Sequence, residues 1–244
     1  MLGALPRIEG QTVLDLGCGV GDLAAELASR GARVIGVDAS EELLVTARAR
    51  QIPNAEFLCA DLRNLPDLGI VADGVWSSFA AAYFIDLSGV LSSWSAYIRP
   101  GGWMALTEID DFFGHEPLRA RTRSLHDAYA QDALAAERYD FQMGRRLREH
   151  LERSGLTVAK ELSPGDRELA FDGAAAPEVV EAWRARLDGM TLLRTFCGEE
   201  WNAVREDFLG CLSRADHRAA ARVCFALATK PLLSAATGPE AQER

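Results

Sequence analysis

The stretch of this chain best suited to chemistry is Val13-Leu14-Asp15-Leu16-Gly17-Cys18-Gly19-Val20-Gly21-Asp22, where an apolar run ends in alternate glycines and a helix-forming segment follows. Alternate glycines strip the backbone where a strand gives way to a helix, so a bulky ligand can approach and meet the free N–H groups of the helix start. A phosphate or a carboxylate fits such a place. Two details favour the carboxylate-bearing ligand. The spacing is Gly-x-Gly-x-Gly, where dinucleotide folds use Gly-x-Gly-x-x-Gly, and Asp15 stands just before the turn. That acid repels a pyrophosphate and attracts an amino group or a sulfonium cation.

Further along, acids recur where apolar runs stop. Asp38 follows Val34-Ile35-Gly36-Val37 and is placed to accept the two hydroxyls of a ribose, and Asp61 follows Phe57-Leu58-Cys59-Ala60. Asp38 can also be read as a helix-capping acid, and Asp61 as a turn residue before Asn64. Cys18 within the glycine turn reads as small filler and not as a nucleophile. Glu108, Asp110, Asp111 and His115 cluster after a later apolar run. His115 is the candidate general base, because an unperturbed imidazole is mostly neutral near pH 7, with a hydrogen-bonding loop histidine as the alternative. The acids can orient a cationic acceptor or simply face solvent.

The elements that must position these residues are legible as rhythm. Short apolar runs alternate with amphipathic segments through the first half, the pattern of an α/β fold with a parallel sheet covered by helices. Strands are expected at 12–16, 33–37, 55–59, 74–79 and 103–109, with helices at 22–30, 41–50 and 87–98 and a turn at Pro100-Gly101-Gly102. After residue 110 the rhythm breaks into helical segments at 117–137, 141–154, 177–196 and 199–214. Strands are expected near 156–162 and 223–229. Residues 1–231 are expected to form one domain, with 112–140 and 177–214 as helical cap insertions and 232–244 as a frayed tail.

Composition narrows the partners. The chain has 244 residues and a formal net charge of −10, which argues against general electrostatic binding of nucleic acid or anionic membrane. Lys160 and Lys230 are its two lysines, and Arg119, Arg121 and Arg123 read as a solvated helix face. The five cysteines are scattered with no Cys-x-x-Cys pairing, so no disulfide framework or metal site is expected, and a reducing cytoplasmic setting fits. Oligomeric state leaves no signal.

Four separated stretches together resemble the class I S-adenosylmethionine (SAM)-dependent methyltransferases, in their small-molecule, ubiquinone-biosynthesis-like branch. They are Asp15 to Gly21, Val37-Asp38, Ala60-Asp61-Leu62 and Ile98-Arg99-Pro100-Gly101-Gly102, covering residues 12–109. The resemblance implies a Rossmann-like, seven-stranded, mostly parallel sheet of order 3-2-1-4-5-7-6, with strand 7 antiparallel and helical insertions after strands 5 and 6. It implies SAM as cofactor, bound through Asp15, Gly17, Cys18, Gly19, Gly21, Asp38, Ala39, Asp61, Leu62, Ser77 and Ser78. The acceptor is expected beyond strands 4 and 5, among Phe79, Tyr83, Glu108, Asp110 and Phe113, with cap residues Tyr129, Tyr139, Trp183, Met190 and Trp201 as further walls. Aromatics at helical spacing also serve as core, and that alternative applies to each of them. Only residues 1–11 precede the first motif, where the family commonly carries a lid. The later helices are expected to supply it, with an open site or a late start codon as the alternatives.

The expected reaction is methyl transfer to oxygen or nitrogen of a small, planar or aromatic metabolite. A noncatalytic SAM-binding protein and a nicotinamide-dependent oxidoreductase are the readings from other classes, the second disfavoured by the glycine spacing.

Overall fold

The computed structural model describes residues 1–232 of the chain; the rest of the expected tail lies outside the described residues. In chain order the elements are β1 (Thr12–Leu16), α1 (Asp22–Ser29), β2 (Arg33–Asp38), α2 (Glu41–Ala49), β3 (Ala55–Cys59), β4 (Ala72–Ser78), α3 (Leu87–Ala96) and β5 (Ile98–Asp110). Then come β6 (His115–Glu116), α4 (Ala120–Ala135), α5 (Leu147–Arg153), β7 (Thr157–Leu162), α6 (Pro177–Gly189), α7 (Thr191–Cys197), α8 (Trp201–Leu212), β8 (Arg218–Ala219) and β9 (Arg222–Thr229). Seven strands form one sheet in the order β3-β2-β1-β4-β5-β9-β7. β1 to β5 pair in parallel, and β9 runs antiparallel to both β5 and β7. This is the expected order, with β9 as the seventh strand once the two-stranded ribbon β6–β8 is set apart.

The central strands are buried on both faces, so they read as near-continuous apolar runs. Val13 packs on one face with Trp76, Trp103 and Phe225, while Leu14, Leu16 and Val75 pack on the other with Leu87, Leu91 and Trp94 of α3. α2 starts where Ser40 caps it, its side chain accepting from Leu43 N, with Glu41 and Glu42 in the first turn. At the opposite end of the sheet, Lys230 donates from Nζ to the carbonyls of Ser95 and Ile98, both at 2.8 Å, tying the chain after β9 to the end of α3.

Four local readings differ from the sequence expectation. Pro100-Gly101-Gly102 does not precede the fifth strand as a turn but lies inside β5, where the pairing with β4 shifts register and Gly101 takes φ 74°. The helix expected over 177–196 breaks at Met190, whose ψ of 68° leaves the helical region and separates α6 from α7. The helix expected from 141 begins as a tight 3-10 turn, Met143–Arg146, before α5. The ribbon β6–β8 carries His115 as a strand residue where a turn was expected.

A second core lies away from the sheet. Phe113, Leu125, Tyr129, Trp183, Leu187, Trp201 and Phe208 cluster with further residues of α4 and α6 to α8 into a helical cap. The ribbon joins this cap to the sheet through its pairing at His115 with Ala219.

Candidate functional site

The glycine turn after β1 has the left-handed backbone its sequence demands. Gly17 takes φ 80° and Gly19 φ 52°. A Cβ on Gly17 would lie 2.8 Å from the Cβ of Ala80, so the turn packs directly against the chain leaving β4. A Cβ on Gly19 would meet nothing within 4 Å, so the bare backbone there borders open space. Asp38 joins the two parts of the cleft. Its Oδ2 accepts from Gly19 N at 2.8 Å and its Oδ1 accepts from Ser40 N at 2.9 Å, which leaves each oxygen a further lone pair for a ribose hydroxyl. Arg50, which the sequence did not single out, steadies the turn by donating to Val20 O at 2.8 Å and Asp22 Oδ1 at 2.5 Å.

Asp15 is 1% exposed, and among the described residues its Oδ2 has no hydrogen-bond partner. Burial, and then the charge of Asp38, push its carboxyl up to about 7. A buried acid in that state is stabilised by a cation brought to it, which is what the amino or sulfonium group of SAM supplies. An orphaned acid, a glycine edge open to a ligand and a ribose-type acid on β2 together fit SAM. Cys18 is buried, and burial followed by Asp15 and Asp38 drives its thiol well above the usual range, which argues against a nucleophilic role.

The remaining cofactor candidates divide. Ala39 is exposed beside Asp38, and its carbonyl faces Cys59 Sγ at 3.7 Å. Asp61 is exposed and accepts from Arg63 N at 2.9 Å, so the turn-residue reading is realised without occupying its second oxygen. Leu62 is buried, and its carbonyl accepts from Trp94 Nε1 at 2.8 Å, which fixes this loop to α3. Ser77 is buried with an unpartnered hydroxyl, whereas Ser78 Oγ is spent on Trp76 Nε1 at 2.7 Å.

A cavity of about 720 Å³ lies beyond the ends of β4 and β5, under the cap. Of the expected acceptor residues, Phe79, Tyr83, Tyr129, Tyr139 and Met190 line it, joined by Phe112, Phe141, Arg138 and Arg186. Phe79, the residue after β4, takes φ 54°, a left-handed conformation that costs a non-glycine residue about 1–3 kcal/mol and that turns the chain into the cavity wall. Tyr83 follows on a 3-10 turn, Ala81–Tyr83, whose last carbonyl accepts from Arg63 Nη2 at 3.2 Å. Arg63 thereby links the Asp61 loop to the cavity mouth, a connection across 20 residues that carried no local signal.

The other expected acceptor residues are placed elsewhere. Phe113, Trp183 and Trp201 are buried in the cap core, where Trp183 Nε1 donates to Glu168 O at 2.7 Å. The rings of Phe113 and Trp183 support the cavity wall from behind, against Phe112. Asp110 is fully buried between Arg145 Nε at 2.5 Å and Arg222 Nη2 at 2.7 Å, which commits both of its oxygens. Glu108 is likewise fully buried, with both oxygens on backbone amides.

The largest correction concerns His115. It is fully buried, packed edge-on against Trp183 and Phe208 at 5.3 Å, and its Nδ1 lies 2.9 Å from His217 Nε2. His217 Nδ1 lies 3.0 Å from Gly173 O, which can only accept, so that nitrogen carries the proton and its Nε2 does not. His115 Nδ1 must then be the donor, and its Nε2 is left as a bare buried lone pair. Burial first, and then His217 and His126, depress its pKa to about 3. An imidazole held neutral, among aromatics and off the cavity wall, is a structural pin joining 102 residues of separation and not a base.

The sheet order and the glycine edge define the fold of class I SAM-dependent methyltransferases. Residues 13–102 match the methyltransferase domain family. Over 98 residues the chain is 37% identical to malonyl-[acyl-carrier protein] O-methyltransferase of Salmonella typhimurium, covering 40% of this chain and 39% of that one. Over 108 residues it is 36% identical to trans-aconitate 2-methyltransferase of Azoarcus sp., covering 43% and 42%. These alignments span about two fifths of the length of either relative. A solved SAM-dependent methyltransferase from Mesorhizobium loti superimposes with a TM-score of 0.55 at 20% identity, covering 93% of this chain and 94% of that one.

Proposed function

We propose that this chain is a SAM-dependent methyltransferase that acts on an oxygen or nitrogen of a small, planar or aromatic metabolite. The observation that carries the reading is the packing of Gly17 against Ala80, which seats the cofactor turn beside Phe79 and so beside the aromatic-walled cavity. Bound SAM supplies an electrophilic methyl group on a sulfonium. The chain's own part is to hold the ribose through Asp38, to meet positive charge with Asp15, and to align a flat acceptor between Phe79, Tyr83 and the cap. Displacement at a methyl group needs alignment and exclusion of water more than a strong acid or base, and an apolar cavity provides both. The O-methyltransferase among these relatives supports the reaction class, and the two alignments cover about two fifths of this chain.

The test is direct. The purified chain with SAM and a panel of small planar acceptors should yield S-adenosylhomocysteine and a product heavier by one methylene unit. Methylation of tRNA or protein with no small acceptor turned over would overturn the substrate class. Absence of S-adenosylhomocysteine binding in calorimetry would overturn the reading as a whole.

A further inference from the structure

One part of the cavity wall carries a charge that its surroundings leave without a counterpart. Phe79, Tyr83 and Tyr139 meet where β4 and β5 end, with the rings of Tyr83 and Tyr139 edge-on at 4.8 Å. Behind them lies Glu108, fully buried. Its Oε1 accepts from Ala82 N at 3.1 Å and its Oε2 from Ile109 N at 3.0 Å. The carbonyl of Ala82 accepts from Asp140 N at 2.9 Å. Ala82 is therefore tied on both sides, and the two ties set the backbone next to Tyr83 and next to Tyr139. Glu108 is the anchor of both rings.

Most of the other charges near the cavity are paired with an opposite charge. Arg186 pairs with Glu168, Arg138 with Asp132, Asp140 with Arg146, and Asp110 with Arg145 and Arg222. Asp166, at the cavity lining, accepts at Oδ1 from the amides of Glu168 and Leu169 and adds a second acid to the wall. Glu108 has amide partners in place of a cation, and burial, with Asp140 adding to it, raises its carboxyl to about 7. Burial and the charge of Glu108 both push the Tyr139 phenol upward, which puts the carboxyl within electrostatic reach of that ring. Three aromatic rings backed by an acid form a surface that attracts positive charge and repels a carboxylate or phenolate.

We propose that the methyl acceptor is a basic amine borne on a flat or aromatic group, its nitrogen held on the faces of Phe79, Tyr83 and Tyr139 with Glu108 as the countercharge behind them. This rests on the methyltransferase reading above and narrows its oxygen-or-nitrogen choice. In the step, the bound ammonium first releases a proton to solvent; the lone pair of the resulting neutral amine then forms the N–C bond as the S–C bond breaks, and the S–C electron pair stays on sulfur. Positive charge passes from sulfur to nitrogen, and the new ammonium then loses its proton to solvent. Nitrogen gains charge where the wall is built to receive it. Glu108 touches no reacting atom and acts as a positioning and electrostatic residue.

The test uses the full chain saturated with S-adenosylhomocysteine and three probes of similar shape: benzyltrimethylammonium, its neutral isostere neopentylbenzene, and phenylacetate. The cation should bind about tenfold more tightly than either of the others. Its charge is permanent, so any pH dependence belongs to the protein. Affinity should rise from pH 6 to 8 as Glu108 ionises. Asp15 titrates in the same range, and Tyr83, Tyr139, Asp140 and, across on β9, Cys224 also face Glu108. Glu108→Gln assigns the effect, because it should flatten the pH profile while S-adenosylhomocysteine affinity holds within about twofold. If that variant fails to fold, Phe79→Leu reads the same point from a half-exposed position, and should remove most of the preference for the cation. Equal binding of neopentylbenzene or phenylacetate, or a flat profile in the parent chain, overturns the amine proposal. Loss of S-adenosylhomocysteine binding would instead strike the methyltransferase reading.

Discussion

Asp15 and His115 are both buried ionisable residues with a polar atom that lacks a partner, yet they belong to regions built on different principles. Asp15 lies in the half made of β1 to β4, where function is set by backbone shape: a left-handed glycine turn, an acid at a strand end, a close approach to Ala80. His115 lies at the root of the cap, where aromatic side chains fill space and a histidine pair substitutes for a longer ribbon. In the first region the orphaned acid lies on the strand that runs into a glycine turn whose Gly19 borders open space. In the second the histidine is enclosed by Trp183 and Phe208, and serves packing. An unsatisfied buried group thus marks a site only when its neighbours leave room for something to satisfy it.

Removing Trp183 should separate the regions most sharply. It is fully buried in the cap, so Trp183→Ala is expected to cost about 3–5 kcal/mol in denaturant unfolding. Affinity for S-adenosylhomocysteine should stay within about twofold of the parent chain's. This replaces the expectation that Trp183 lines the acceptor site. A strong loss of cofactor affinity with a small stability change would show that the cap and the glycine edge are one unit.

Asp38→Ala works on the other region, and is expected to weaken S-adenosylhomocysteine binding by about 1.5–3 kcal/mol in calorimetry with a smaller change in melting temperature. Unchanged affinity would mean the ribose does not sit at the end of β2.

Acid should act on the two regions in opposite directions. His115 and His126 are depressed by burial to about 3 and about 4, below the unfolded value of about 6.5. Between pH 6.5 and 4 the unfolded chain therefore binds protons that the folded cap refuses, and the cap loses stability as pH falls. Asp15 and Glu108 are raised to about 7, above their unfolded values of about 4. Their folded forms take up protons first, so the sheet gains stability over the same fall. Hydrogen exchange should show protection in α4 and α8 declining relative to β1 between pH 7 and 5. A uniform change across both regions would mean that they unfold together.

The smallest effect is expected at Asp61, which is exposed and caps its own turn. Asp61→Ala should cost about 0.5–1.5 kcal/mol of S-adenosylhomocysteine affinity, less than Asp38→Ala, with little loss of stability. An effect larger than that of Asp38→Ala would move the main cofactor anchor from β2 to β3.

The same contrast explains what could be read in advance. Gly17, Gly19 and Asp38 were legible because φ above zero and a strand-end acid demand particular residue types at fixed spacing. The strand order followed from four such stretches taken together. The cap is held by apolar contacts that many residues can make, so sequence could propose aromatic walls without saying that Tyr129 and Tyr139 face the cavity while Phe113 and Trp201 face the core. The His115–His217 pair, the Arg63 link to Tyr83 and the Glu108 tie to Ala82 each join distant residues, and no local pattern encodes such a bond. The break at Met190 is different: Gly189 stands beside it, a weak helix former that could have marked the end of α6.

The binding of Lys230 by the carbonyls of Ser95 and Ile98 has a practical side. The chain has two lysines, and this one offers its amine to two acceptors, while Lys160 stands exposed on β7 at the far edge of the sheet. Among the lysines, an amine-reactive dye should therefore couple preferentially at Lys160, leaving the cleft and cavity free of label. Lys160 is thus the lysine of choice for attaching a fluorophore or a surface tether.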